Sequence, residues 1–172
     1  MIKKINIYPN PILFKKARQC QLIKIIENED NIGIPQAKKW EQEVIDATQN
    51  LLDTANSLSE KAVGLSCSQI WDDPDKDPLA IFVIKLKTND NYVWKEFINP
   101  KIITSGHTVK VKEECLSVPD MEIIKKREIN VTITYQTLED VTPLTIKLYG
   151  KYSFLPVIIQ HEYDHLNGKL II

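Results

Sequence analysis

Near the end of the chain stands Gln160-His161-Glu162-Tyr163-Asp164-His165, which contains the pattern H-E-x-x-H. On a helix, residues four apart share a face, so His161 and His165 can hold one cation between them. Glu162 is displaced by one residue, within reach of a water on that cation. Two imidazoles and a carboxylate base are the equipment of metal-assisted amide hydrolysis. The motif itself names neither the third ligand nor the substrate. Asp164 falls off the shared face, and such sites draw on cysteine, histidine or carboxylate donors. His107 is one candidate, but Ser105-Gly106-His107-Thr108 reads as a solvent-facing hairpin turn. Cys67 and Cys115 are the serious options. Cys115 lies just after a predicted strand, in Glu113-Glu114-Cys115-Leu116-Ser117-Val118-Pro119. A thiolate would complete a Cys/His/His site with one coordination position left open.

These side chains need elements to position them. From Ser153 onward the pattern is helical, with Ser153 as N-cap, Pro156 in the first turn and Gly168 as the stop. Val44, Ala47, Leu51, Ala55 and Leu58 repeat at helical spacing and predict a helix over 40–59. Between the two lie strand candidates: Leu79–Ile84, Tyr92–Ile98 (ended by Asn99-Pro100), Thr108–Lys112, Asn130–Tyr135 and Leu144–Leu148. Residues 1–19 read as an extended arm with a turn at Tyr8-Pro9-Asn10-Pro11. Residues 20–39 read as a short element followed by a loop, and Trp71–Pro78 as an acidic surface loop. The order predicts a single α+β domain over residues 1–172, with curved, mostly antiparallel sheets packed around a C-terminal metal-binding helix.

Bulk properties narrow the partners. The chain has 172 residues, 43 % of them hydrophobic, enough for one core. With 22 basic and 23 acidic residues the net charge is -1, which predicts neither direct nucleic-acid binding nor an electrostatic membrane footprint. No window has the length of a membrane span, and Met1-Ile2-Lys3-Lys4-Ile5 does not open a secretory signal. Three sparse cysteines, Cys20, Cys67 and Cys115, point to a reducing compartment rather than a disulfide scaffold.

Three segments together resemble the peptide deformylase family. Gly64-Leu65-Ser66-Cys67-Ser68-Gln69 is similar to the family's Gly-x-Gly-(apolar)-Ala-Ala-x-Gln motif. Glu113-Glu114-Cys115-Leu116-Ser117 is similar to Glu-Gly-Cys-Leu-Ser, and Gln160–Leu166 to Gln-His-Glu-x-Asp-His-Leu. Tyr8-Pro9-Asn10-Pro11 and Phe97-Ile98-Asn99-Pro100 also match, so the resemblance runs along essentially the whole chain. It implies removal of the N-formyl group from the initiator methionine of nascent polypeptides, with release of formate. It also implies that Cys115, His161 and His165 hold one divalent ion, Fe(2+) being expected and Zn(2+) or Ni(2+) able to use the same ligands. Glu162 would move the proton, and Gln69 with the backbone N–H of Leu116 would face the developing oxyanion. Val63, Gly64, Leu65, Phe154, Val157 and Ile158 match the substrate pocket, the peptide lying extended beside Val63-Gly64-Leu65. Glu113 and Arg127 match residues that brace the site through polar contacts.

The same resemblance implies a monomer acting on formyl-methionyl nascent peptides, with transient ribosome contact weakened by the short segment after His165. The expected location is the cytoplasm of a bacterium or phage-infected cell, or an organelle matrix after removal of a transit peptide. Ala62 stands where the family has its first glycine, Ser66 and Cys67 replace paired alanines, and Glu114 replaces the glycine before the metal cysteine. Were that position to need a positive φ, Glu114 would cost about 1 kcal/mol. Glu122 lies where members often carry a basic residue facing the peptide. These departures keep two other readings in view: a hydrolase of another N-acylated substrate, or an inactive metal-binding homologue.

Overall fold

The computed structural model describes all residues except 25–37, 59, 61, 90 and 152. Residues 25–37, the greater part of the 20–39 segment, therefore lie outside the described residues. An N-terminal arm with a 3₁₀ turn at Pro11–Phe14 leads to β1 (Leu22–Lys24), which pairs antiparallel with β2 (Lys38–Trp40). Helix α1 follows (Gln42–Ser57). It buries Val44, Thr48, Leu51, Thr54 and Ala55, and the two buried threonine hydroxyls are satisfied by donating to the carbonyls of Val44 and Asn50, each at 2.7 Å. Next come β3 (Gly64–Ser66), β4 (Ile81–Lys87), β5 (Tyr92–Cys115), β6 (Val118–Gln136), β7 (Leu144–Tyr149) and helix α2 (Leu155–Leu166). Strands β3 to β7 form a five-stranded sheet in chain order, each pair antiparallel. The molecule is α+β.

β4 explains why its sequence is a continuous apolar run. Ile81 and Val83 point to the α1 side, in a cluster with Val44, Leu51 and Leu65. Phe82 and Ile84 point to the α2 side, with Phe97, Ile133, Ile159 and Leu166. A strand covered on both faces has no polar face to show. Each such buried side chain contributes roughly 1.5–3 kcal/mol.

Tyr92–Ile98 and Thr108–Lys112, expected as separate strands, are parts of the single strand β5. The supposed hairpin turn at Ser105–Thr108 is a register shift within it, with Gly106 at φ 93°, and a second shift spans Ile98 to Lys101. Bulges absorb an extra residue and bend the ribbon, so glycine and proline are tolerated there without ending the strand. At the Ile98–Lys101 shift Asn99 (φ 50°) bonds through its side chain to both the N–H and the carbonyl of Cys20. The true hairpin between β5 and β6 is Leu116-Ser117, beside Cys115.

Candidate metal centre

Two elements meet to form the centre. α2 begins where Pro156 is harmless, with the Ser153 hydroxyl accepting from the Leu155 N–H at 3.1 Å. Phe154, rather than Ser153, occupies the cap position itself. The helix ends at Leu166, and Gly168 (φ 67°) turns the chain away. One turn apart on this helix, the His161 and His165 rings have centroids 5.0 Å from each other. The tip of the β5–β6 ribbon brings in Cys115, whose Sγ lies 3.2 Å from His165 Nε2. One ligand atom from each of the three residues lies within 4.8 Å of the others. Among the described residues no other trio of Cys, His, Asp or Glu does so. Cys67 is in the core against α1, its thiol pushed up to about 12 by burial. His107 is exposed on β5.

His165 is already in the chemical state that a cation needs. Burial, and then the charges of His161 and Arg127, push His165 down to about 3, so its ring is neutral at physiological pH and has a lone pair to offer. Its Nδ1 is buried without a hydrogen-bond partner. His161 behaves oppositely: burial disfavours its charge, but Cys115 and Glu113 together push it up to about 10. The His161 Nδ1 lies 2.9 Å from Glu113 Oε2, which orients the ring and leaves Nε2 for the centre. Two nitrogens and a sulfur in this arrangement fit one divalent metal ion.

A buried ion network fixes the histidine face. Arg127 on β6 donates to both oxygens of Glu113, at 2.6 and 2.8 Å, and to Asp164 Oδ2 at 2.6 Å. Asp164, off the ligand face, thus ties α2 to the sheet. Burial alone would raise the Glu113 carboxyl, but the bonds from Arg127 and His161 bring it down to about 2. A depressed carboxylate contributes stability that is complete above its ordinary value of 4.5 and is lost as pH falls toward about 2. Glu113→Gln is expected to remove that part of the acid sensitivity, seen as a flatter dependence of the denaturant midpoint on pH over this window. The same variant should weaken metal binding about 10–100-fold in chelator competition.

Glu162 is buried beside the cluster. Burial raises its carboxyl above the usual range, opposed by His161 and by a bond from Ser66. Gly64 is needed here for space: a Cβ on it would lie 2.2 Å from Glu162 Oε1. Gln69 is also buried. Its Oε1 accepts from the Ser66 N–H at 2.8 Å, and its Nε2 donates to Ser117 Oγ at 3.1 Å and lies 3.7 Å from Cys115 Sγ. The N-terminal arm holds both neighbours: the Asn6 and Tyr8 N–H groups donate to the carbonyls of Gln69 and Ser117, at 2.6 and 2.8 Å.

A cleft of about 710 Å³ opens onto Glu162, Gln69, Cys115 and His161. Val63, Gly64, Leu116, Phe154, Val157 and Ile158 line it, and Ala62 lies along the same wall. The Leu65 side chain is fully buried in the α1-side core, because alternate residues of a strand face opposite ways and Gly64 takes the cleft side. Glu114 is not among the positive-φ residues, so no backbone strain attaches to it, although the strand register shifts between it and Cys115. It is paired in register with Glu122 on the cleft rim, where Glu122 meets Lys112 at 2.7 Å. The contacts of Ser66 and Ser117 were missed from sequence, where Ser66 read as the replacement of a motif alanine and Ser117 only as part of the Glu113–Ser117 match.

Fold and site together define an α+β protein with a Cys/His/His metal centre built on an H-E-x-x-H helix. The model of the polypeptide deformylase family matches residues 2–172, and the chain belongs to the peptide deformylase family. It is 34 % identical over 119 residues to the peptide deformylase of Helicobacter pylori, covering 67 % of this chain and 63 % of that protein, so the match spans under two thirds of the relative's length. To the peptide deformylase of Karelsulcia muelleri it is 32 % identical over 176 residues, covering 100 % of this chain and 77 % of the relative. The crystal structure of a peptide deformylase from Legionella pneumophila superposes with a TM-score of 0.72 at 26 % identity, over 99 % of this chain and 84 % of that one.

Proposed function

We propose that this chain removes the N-formyl group from the initiator formyl-methionine of newly made polypeptides and releases formate. The observation that carries the reading is a cleft with an apolar wall of Val63, Phe154, Val157 and Ile158 that opens onto Glu162 and onto Cys115 and His161 of the ligand cluster. Those three residues would hold one divalent ion, ferrous iron being the expected one and zinc or nickel fitting the same donors. When bound, the ion supplies Lewis-acid polarisation of the formyl carbonyl and acidifies water. Glu162 takes a proton from the attacking water at its carboxylate and hands it to the departing amine. Its raised pKa suits both halves of that task. The Gln69 side-chain N–H and the Leu116 backbone N–H serve the oxygen that becomes negative, each such donor contributing roughly 3–4 kcal/mol to the transition state.

The methionine side chain fits the slot of Val63, Phe154, Val157 and Ile158. Among the described residues, β3 pairs only with β4, so it stands at a sheet edge. An extended peptide can add to it through main-chain hydrogen bonds, a mode that reads few side chains after the first. That suits substrates that share only their first residue.

Protein loaded anaerobically with Fe(2+) is expected to release formate from formyl-Met-Ala, to act far more slowly on acetyl-Met-Ala, and to stop on chelation. Full metal occupancy without formate release would overturn the proposal. Faster turnover of the acetyl peptide would shift it to another N-acylated substrate.

A further inference from the structure

The mechanism above leaves the Ser66 hydroxyl without a task, although it makes two short contacts with the residue that moves the proton. Ser66 is fully buried on β3, two residues after Gly64. Its Oγ lies 2.7 Å from Glu162 Oε2 and 3.0 Å from the Glu162 carbonyl oxygen, so one hydroxyl faces both the carboxylate and the backbone of the same residue. The other carboxylate oxygen, Oε1, lies over the Gly64 Cα, close enough that a single added carbon there would stand 2.2 Å away. Gly64 and Glu162 line the cleft and Ser66 does not. The carboxylate is therefore pinned on its buried side and free on its cleft side. The Ser66 N–H meanwhile donates to Gln69 Oε1 at 2.8 Å.

We propose that Ser66 is a positioning residue that aims both working side chains from one point on β3: its hydroxyl ties Glu162 Oε2 inward, leaving Oε1 to meet the attacking water, and its N–H sets the plane of the Gln69 amide. This rests on the deformylase reading. A glutamate side chain has three torsions, and without an anchor a buried carboxylate seeks another donor. The bond from a hydroxyl to a carboxylate is charge-assisted and short, which fits the 2.7 Å contact. The related motif usually carries alanine at this position, so the hydroxyl is an addition whose removal leaves a side chain that such a strand accommodates.

The test uses Ser66→Ala and Ser66→Thr in the metal-loaded protein. Ser66→Ala is expected to lower kcat about 10-fold, part of the 10²–10⁴-fold that a positioned acid–base group contributes, with KM and metal content unchanged. Ser66→Thr, which keeps the hydroxyl, should recover most of the loss. In a Glu162→Ala background the Ser66→Ala effect should vanish, because the two act as one unit. A crystal structure of metal-loaded Ser66→Ala should show the Glu162 carboxylate displaced or split between rotamers, and this arm does not depend on turnover. An unmoved Glu162, an unchanged kcat, or an equal loss with and without Glu162 would overturn the proposal. Failure of the unaltered protein to release formate would instead strike the deformylase reading, leaving the rotamer measurement to judge Ser66. The double-mutant and crystallographic arms use only the alanine variant, so they hold even where the threonine methyl does not fit.

Discussion

Replacing Glu162 with alanine is expected to lower kcat for formate release about 10³-fold, within the range for a positioned acid–base group, while one equivalent of metal stays bound. The two outcomes separate because Glu162 lies outside the trio whose ligand atoms converge. The brace on that trio, Arg127 with Glu113 and Asp164, does not involve Glu162 either. Stability should be little reduced, since holding a carboxylate in a buried place with a raised pKa is itself unfavourable. Metal analysis and a formate assay on the same preparation check both halves. Retained turnover would remove Glu162 from the proton transfer, and lost metal would make it a structural support of the centre.

Gly64→Ala should cost about 10²-fold or more in kcat with a modest change in unfolding midpoint. The added methyl would stand 2.2 Å from Glu162 Oε1 and 2.8 Å from its Cδ, so one of the two must move. The carboxylate is the far end of a flexible side chain and yields more readily than the strand, which pairs with β4 through Gly64, Leu65 and Ser66. Yielding pulls Oε1 from its place over the strand and lengthens the bond from Ser66. A misplacement of about 1 Å at a reacting group is enough for a loss of that size. The measurement is kcat and thermal midpoint side by side. A loss of fold with no loss of specific activity in the folded fraction would contradict the steric account.

Helical spacing made His161, Glu162 and His165 legible, because four residues along α2 return to the same face whatever surrounds it. The run at Ile81–Ile84 was equally readable as a strand, since burial on both faces leaves an unbroken apolar string. Choosing Cys115 over Cys67 was not possible from spacing alone. Both thiols are buried, and which one meets the histidines depends on where the β5–β6 tip lands, a tertiary fact supplied by the family motif rather than by periodicity. Ser105–Thr108 misled for a related reason: a glycine with positive φ serves a turn and a bulge equally well. The partner strand decides, here β6, which pairs with β5 on both sides of Gly106. The partners of Ser66 and Ser117 were not legible in the sequence, because a hydroxyl's bonds are made across the fold, to residues 96 and 48 positions away.

Along the end of β5 the side chains alternate: Glu113 buried against Arg127, Glu114 exposed on the rim, Cys115 buried against His165. Ligand and brace share a face only because a single residue, Glu114, separates them. In mutational terms this stretch is free in identity at its middle position but fixed in length. An exchange at Glu114 alters only what an incoming peptide meets at the rim. One residue inserted or deleted between Glu113 and Cys115 would turn the ligand or its support outward and disable both together. A library of this segment should therefore retain substitutions at Glu114 and be empty of single-residue insertions and deletions on either side of it.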